Sequence, residues 1–212
     1  MFVASTFLEN HRRFLDIGSN VGIYSYYFAK SMDQIDAFEP LIEASSRLSA
    51  TNLKNVSIHN IALSNRCETK TFYIPIANRK LVTGLATLEE KPGNHVERII
   101  NVTTLDEFKY DDVDLIKIDV EGHEIHVIRG AIHTIKRCKP VIIVEIEQCH
   151  IKVPITDIFQ EIIDLGYDGY FLIDRELRSI GEFDYEKHQK PYLSNVLDRH
   201  YVNNFIFKAI PT

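Results

Sequence analysis

The sequence predicts an α/β fold: a mostly parallel sheet with helices on both faces and a β-hairpin inserted after its third strand. Three observations carry this. Short apolar runs alternate with segments of helical periodicity in a β-α-β-α-β series, which demands right-handed crossovers and favours a parallel sheet. The run "VIIVEI" at 141–146 is apolar on both alternating faces, as a strand covered by helices on both sides must be. Between 69 and 105 the alternation stops, because "TKTFYIPI" and "VERIINVTTL" are β-rich with no helix between them.

Residues 13–17 form the first strand and 21–30 the first helix, with Tyr24, Tyr27 and Phe28 on its apolar face. "QIDAFEP" makes the second strand, closed by Pro40; 41–53 repeats apolar residues at helical spacing, and "NVSIHNIAL" is the third strand. The insertion follows as a hairpin or edge strands, with a flexible, turn-prone loop at 76–94 around Gly84. The series resumes with "VDLIKIDV" as a strand and 123–137 as one helix. Ile125, Ile128, Ile132 and Ile135 give that helix its stripe for the sheet, while Arg129, His133, Lys136 and Arg137 complement the negative end of its dipole. "KPVIIVEIE" belongs near the middle of the sheet, 156–165 is a helix, and "GYFLI" and "NNFIFK" are the remaining strands. The polar stretch 184–200 has no regular pattern.

A chain of 212 residues with 45% hydrophobic content suits one domain over 1–212, with its core at about 12–208. The net charge of −6, from 30 acidic against 24 basic side chains, comes without any Lys/Arg block able to neutralise a row of phosphates, so nucleic acid is not an expected partner. Cys67, Cys138 and Cys149 lack CxxC spacing and fit a reducing compartment. "MFVASTFLENHRR" has neither the basic start nor the long apolar run of a secretion signal, and no membrane span is visible; the default location is cytoplasmic.

The stretch "FLDIGSNVGIYSYYFAK" places a glycine turn between the first strand and first helix, where backbone N–H groups and the positive helix end face a ligand. A dinucleotide site wants G-x-G-x-x-G, yet the third glycine of that pattern would fall at Ile23. Asp16, just before the turn, would repel a pyrophosphate and attract an ammonium or sulfonium. S-adenosylmethionine carries both cations and no phosphate. Glu39, roughly twenty residues beyond the turn at the tip of strand two, can accept from both ribose hydroxyls. Hydrogen bonds to a charged group are worth roughly 1.5–3 kcal/mol each, so losing Glu39 should weaken cofactor binding on the order of tenfold or more. The contrasting reading is a tight structural turn with a solvated strand end.

"DLIKIDVEGHE" puts Asp119 and Glu121 at the end of the fourth strand, above the same crevice. Methyl transfer to oxygen is an in-line displacement that usually requires removal of the acceptor's proton, and Asp119, Glu121 or His123 could take it. The alternative for Glu121 and Glu124 is interaction with the helix N-terminus. Asp119, Glu121, His123, Glu145 and Glu147 could also gather around magnesium, but there is no HExxH pair and His126 is expected to face solvent. No metal is therefore assigned.

Taken together, "FLDIGSNVGIYS", "IDAFEP", "NIALSN", "TTLDEF", "DLIKIDVEGHEIHVIRGA", "KPVIIVEIE" and "NNFIF" resemble the FkbM-type methyltransferase family over nearly the whole chain. The resemblance implies a Rossmann-like class I methyltransferase fold, with seven strands and the last antiparallel. It also implies S-adenosylmethionine-dependent O-methylation of a sugar or natural-product hydroxyl, hence a small-molecule or carbohydrate acceptor. On this chain Asp16, Gly18, Asn20 and Gly22 look like the cofactor loop, Glu39 like the ribose ligand, and Ala62 and Leu63 like an adenine-side wall. Asp119 and Glu121 look like the cleft residues beside the reacting methyl. About a dozen residues precede the first strand, whereas these proteins commonly have additional N-terminal structure; a fragment, a shorter relative or a homo-oligomer whose second subunit donates a lid would each fit. The loop at 76–94 and the stretch 184–200 are expected to shape the acceptor pocket. The competing functions are a nucleotide-dependent oxidoreductase and a catalytically idle methyltransferase-like binding domain.

Overall fold

The computed structural model describes residues 6–90 and 93–211; the first five residues of the N-terminal segment and two residues of the loop at 76–94 lie outside it. Its main sheet has eight strands in the order β11-β10-β12-β9-β8-β1-β2-β3. The strands β1 (Arg13–Ile17), β2 (Gln34–Phe38), β3 (Val56–His59), β8 (Val113–Ile118) and β9 (Val141–Glu145) run parallel. The last strand, β12 (Asn204–Ala209), is antiparallel to both β9 and β10 (Tyr167–Ile173).

The seven strands expected become eight because β11 (Glu176–Ser179) forms a hairpin on β10. Its two-residue loop is Asp174-Arg175, both with positive φ (50° and 66°). That is the backbone of a primed hairpin turn, built here without the Gly or Asn that usually announces one.

Helices cover both faces: α1 (Ile23–Phe28), α2 (Ile42–Ser49), α3 (Glu124–Arg129), α4 (Ile132–Cys138), α5 (Ile155–Ile163) and the short α6 (Tyr185–His188). The strand residues divide by parity. Phe14, Leu115, Val141 and Ile143 pack with Phe28 on the α1 side; Leu15, Ile116, Ile142 and Val144 pack with Ile128, Ile135 and Ile158 on the other. β9 is thus buried on both faces and lies fourth in the sheet, as its unbroken apolar run requires.

The expected helix at 123–137 is broken in two. At the break, a Cβ on Gly130 would lie 1.9 Å from the Ser64 carbonyl oxygen, and Asp106 N–H donates to the Gly130 carbonyl. The Asp106 carboxylate then accepts from His133 N–H, Thr134 N–H and Thr134 Oγ1. It starts α4 afresh from outside, satisfying donors that a helix N-terminus leaves open.

The third strand also divides: β3 stays in the main sheet, and β4 (Ala62–Leu63) joins a second one. The inserted segment supplies β5 (Glu68–Ala77), β6 (Lys80–Leu81) and β7 (His95–Thr103). β5 and β7 form the expected antiparallel pair, but with β4 they make a separate four-stranded sheet, order β4-β7-β5-β6. Its inner face, Phe72, Ile74 and Val102, packs together with Leu88 of the loop on Leu41 and Ala44 at the start of α2. The insertion is thereby fixed beside the C-terminal ends of β1, β2 and β8. No helix among the described residues is long and apolar enough to cross a membrane.

Candidate active site

A cleft enclosing about 600 Å³, open solvent at its mouth included, lies above those strand ends. The glycine turn builds one rim. Gly18 has φ +77°, and a Cβ there would lie 1.8 Å from the Asp119 carbonyl oxygen, so only glycine lets β1 leave the sheet this close to β8. Gly18 N–H and Ser19 N–H both donate to the Phe38 carbonyl, tying the turn to the tip of β2. Gly22, with φ +82°, packs against Leu48 of α2 and does not line the cleft.

Glu39 is buried at the tip of β2. One carboxylate oxygen accepts from Asn20 N–H at 3.0 Å and the other from Leu41 N–H at 2.8 Å. Burial pushes its carboxyl up to about 7; the two N–H donors pull the other way, and the charges of Asp16 and Asp119 add to the rise. Asn20 holds its part of the turn with a positive φ of 47°.

Asp16 takes a different place from the one its sequence position suggests. Its carboxylate lies beneath the turn, accepts from Ser25 N–H (3.0 Å) and Ser25 Oγ (2.6 Å), and does not line the cleft. Burial raises it to about 6, against the pull of Ser25 and of the Lys117 charge. Its direct work is to anchor α1 to β1, and any effect on a bound cation acts through its field.

Ala62 and Leu63 do line the cleft, joined on its apolar side by Phe38, Ile61, Phe72 and Leu88. The insertion contributes Thr83, Gly84 and Ala86 as well, so part of the loop at 76–94 closes over the same cleft that the glycine turn opens. By contrast, no residue of 184–200 lines it. Gln189 instead ties that segment to the end of β9, accepting from Gln148 N–H and donating to the Ile146 and Val202 carbonyls.

Asp119, Glu121 and His123 all reach the cleft, but in different states. Asp119 is about one third exposed and lies 3.5 Å from Lys117 Nζ. Glu121 stands at a positive φ of 56°, its backbone carbonyl held by Thr87 Oγ1 of the insertion and its carboxylate 3.0 Å from His150 Nδ1. His123 is 1% exposed, with Nε2 2.9 Å from Ser64 Oγ and Nδ1 2.6 Å from Glu89. Both ring nitrogens thus make hydrogen bonds that fasten the start of α3 to Ser64 and to Glu89 of the insertion. His126, expected to face solvent, stacks on His123 at 4.5 Å.

The residue that sequence reasoning missed is Lys117. It is fully buried, donates to the Ile118 carbonyl, and lies 3.5 Å from both Asp119 and Glu145, with its ammonium over the Tyr24 ring. Burial alone would lower its pKa, but Asp119, Glu145, Tyr24 and Asp16 together hold it above the ordinary lysine value. Burial, with Asp119 adding to it, also raises the Glu145 carboxyl. The signal was present as a lysine inside the apolar run "DLIKI", on the strand face shared with Leu115.

The five groups weighed for magnesium do not converge. Glu145 turns to Lys117, Asn203 and Asn204. Among the described residues, metal-type ligands gather instead as Glu89, His123 and His126, and as Glu147, Cys149 and His150.

The model of the methyltransferase FkbM domain matches residues 16–169, which takes in the glycine turn, Glu39, the insertion and the strand-four carboxylates. The chain belongs to the FkbM methyltransferase family. No curated protein matches the sequence. A similar solved structure is the FkbM methyltransferase from Methylobacillus flagellatus, with a TM-score of 0.58 at 16% identity. The match covers 92% of this chain and 43% of that one, so the FkbM domain described here spans less than half its length. A TehB-like SAM-dependent methyltransferase from Corynebacterium glutamicum (TM-score 0.50, 11% identity, 98% and 83% of the two chains) is also similar. So is an rRNA methylase from Streptococcus thermophilus (0.50, 12%, 98% and 92%). At these identities the likeness is one of fold, and it is the class I methyltransferase fold.

Proposed function

We propose that this FkbM domain binds S-adenosylmethionine in the cleft and transfers its methyl group to a hydroxyl of a small-molecule or carbohydrate acceptor. The observation that carries the reading is the chemistry of the lining: three carboxylates, Glu39, Asp119 and Glu121, face an apolar wall, and no Lys or Arg is among the described lining residues. Such a cleft suits a cationic ligand with a ribose and a flat base, and is the wrong sign for a pyrophosphate, which argues against a nucleotide-dependent oxidoreductase.

In this reading Glu39 accepts from the ribose hydroxyls while the turn fixes its carboxylate, and Ala62, Leu63 and Phe38 hold the base. The bound cofactor supplies an electrophilic methyl on a sulfonium. Asp119 and Glu121 are the two groups placed to receive the acceptor's proton, and Lys117 and His150 orient them. Residues of the insertion exclude water from the cleft, as an in-line displacement requires.

The test is calorimetric titration of the chain with S-adenosylhomocysteine, beside Glu39→Ala and an NADH control, followed by a methyl-transfer screen of hydroxylated acceptors. Micromolar binding that collapses in the variant supports the reading. NADH binding in place of S-adenosylhomocysteine overturns it, and cofactor binding without turnover on any acceptor favours an idle binding domain.

A further inference from the structure

We propose that Glu147, Cys149 and His150, on the turn that follows β9, form a site for a borderline divalent cation of the zinc class, with Glu121 as the carboxylate that orients its histidine. One ligand atom from each of the three lies within 4.8 Å of the other two. Glu147 Oε2 is 3.9 Å from His150 Nε2 and 3.6 Å from Cys149 Sγ. A tetrahedral zinc with bonds of about 2.0–2.3 Å has ligand-to-ligand edges of about 3.3–3.8 Å, so the two edges from Glu147 already stand close to the spacing the ion imposes.

Orientation adds an independent argument. His150 Nδ1 faces Glu121 Oε2 at 3.0 Å, which presents Nε2 to the Glu147 side. Glu147 Oε1 accepts from Asn203 Nδ2 at 3.1 Å, which leaves Oε2 turned toward the other two ligands. A carboxylate on the far nitrogen of an imidazole and a hydrogen bond on the far oxygen of a carboxylate are what metal-binding side chains characteristically carry. A thiolate, an imidazole and one carboxylate form a donor set for zinc rather than for magnesium or calcium. Three protein ligands leave a fourth position, and the exposed Cys149 marks a route of entry.

The second cluster, Glu89, His123 and His126, lacks this geometry. Its two imidazoles stack with planes 26° apart, so their in-plane lone pairs run side by side instead of converging. On binding at the proposed site Cys149 coordinates as thiolate and releases its proton to solvent, while His150 coordinates in its neutral form. The site stands independently of the cofactor reading, yet it touches the cleft, because an ion that fixes His150 also fixes Glu121.

The experiment is titration of the metal-stripped chain with Zn²⁺ by calorimetry and with Co²⁺ by absorption. The expected result is one ion per chain and a thiolate-to-cobalt charge-transfer band. Cys149→Ser should abolish the band, and His150→Ala should weaken zinc at least tenfold. Glu121→Gln should keep the band while costing roughly 10- to 100-fold in affinity. Cys67→Ser should change nothing, and thermal unfolding of the stripped variants shows that each is folded. A missing band, a band that survives Cys149→Ser, or one lost only with Cys67→Ser overturns the proposal. S-adenosylhomocysteine titration of the same samples reports on the cleft separately.

Discussion

Replacing Glu39 by glutamine removes one charge and almost no volume, and its effect can be worked from the site. The carboxylate spends one lone pair on Asn20 N–H and one on Leu41 N–H, leaving a second on each oxygen for a ribose diol. Glutamine turns one acceptor into an NH₂ that faces a backbone donor, and its remaining oxygen is uncharged. Losing one charge-assisted hydrogen bond costs roughly 1.5–3 kcal/mol, or roughly 10- to 140-fold in the dissociation constant of S-adenosylhomocysteine. The wild-type affinity should also depend on pH. With its carboxyl pushed up to about 7, Glu39 is mostly protonated near pH 6, so binding to the carboxylate strengthens as pH rises, by up to about tenfold per unit below that value, and levels off above it. Calorimetry from about pH 6 to about pH 8 measures both effects. In Glu39→Gln the slope above pH 6 should shrink to the shallower dependence from Asp16, whose value is about 6. Undiminished binding by the variant near pH 8, or a wild-type affinity flat across the range, would refute the reasoning.

The same raised carboxyls predict the stability of the unliganded chain. Asp16, Glu39, Glu124 and Glu145, raised to about 6, 7, 7 and 7 by burial, keep protons in the fold that the unfolded chain has already lost; they outnumber His126 and His188, which burial lowers and which pull the other way, so stability should fall as pH rises from about 4.5 to about 7. A melting temperature that climbs over that interval would contradict this. Gly18→Ala should destabilise by about 3 kcal/mol or more, from its left-handed φ and the Asp119 carbonyl in its way. Gly22→Ala, which meets only the Leu48 side chain, should cost less; urea titrations showing the reverse order would sink the packing argument. Lys117→Met leaves Asp119 and Glu145 without their buried cation and should destabilise at neutral pH by less than the roughly 3–5 kcal/mol of a fully buried pair, because both carboxylates are partly exposed, with much of the loss recovered under acid conditions; a pH-independent loss would mean that Lys117 acts by packing alone.

Much of this protein is written in its sequence because the relevant forces are local. The two-faced apolarity of "VIIVEI", the glycine turn and the alternation of strand and helix dictated a parallel α/β sheet, and parallel strands can close only one way around it. The cleft followed from the same logic: Gly18, Asn20, Glu39, Asp119 and Glu121 line it because strand ends of such a sheet share one crevice, while Ala62 and Leu63, which also line it, were legible only through the family resemblance.

What the tertiary structure decided were contacts between residues far apart in the chain. The break in the helix at Gly130 depends on Ser64 and Asp106, and β11 depends on a turn in which Asp174 favours positive φ but Arg175 carries no sequence signal for it. Asp16 was drawn to Ser25 rather than the cleft, and His123 to Ser64 and Glu89. In each case a buried polar group had to find its partner within the fold, and sequence spacing does not tell which partner lies nearest once the chain is packed. Lys117 shows both sides: its place in an apolar strand fixed that it would be buried, and only the packed sheet determined that two carboxylates and an aromatic ring would keep it charged.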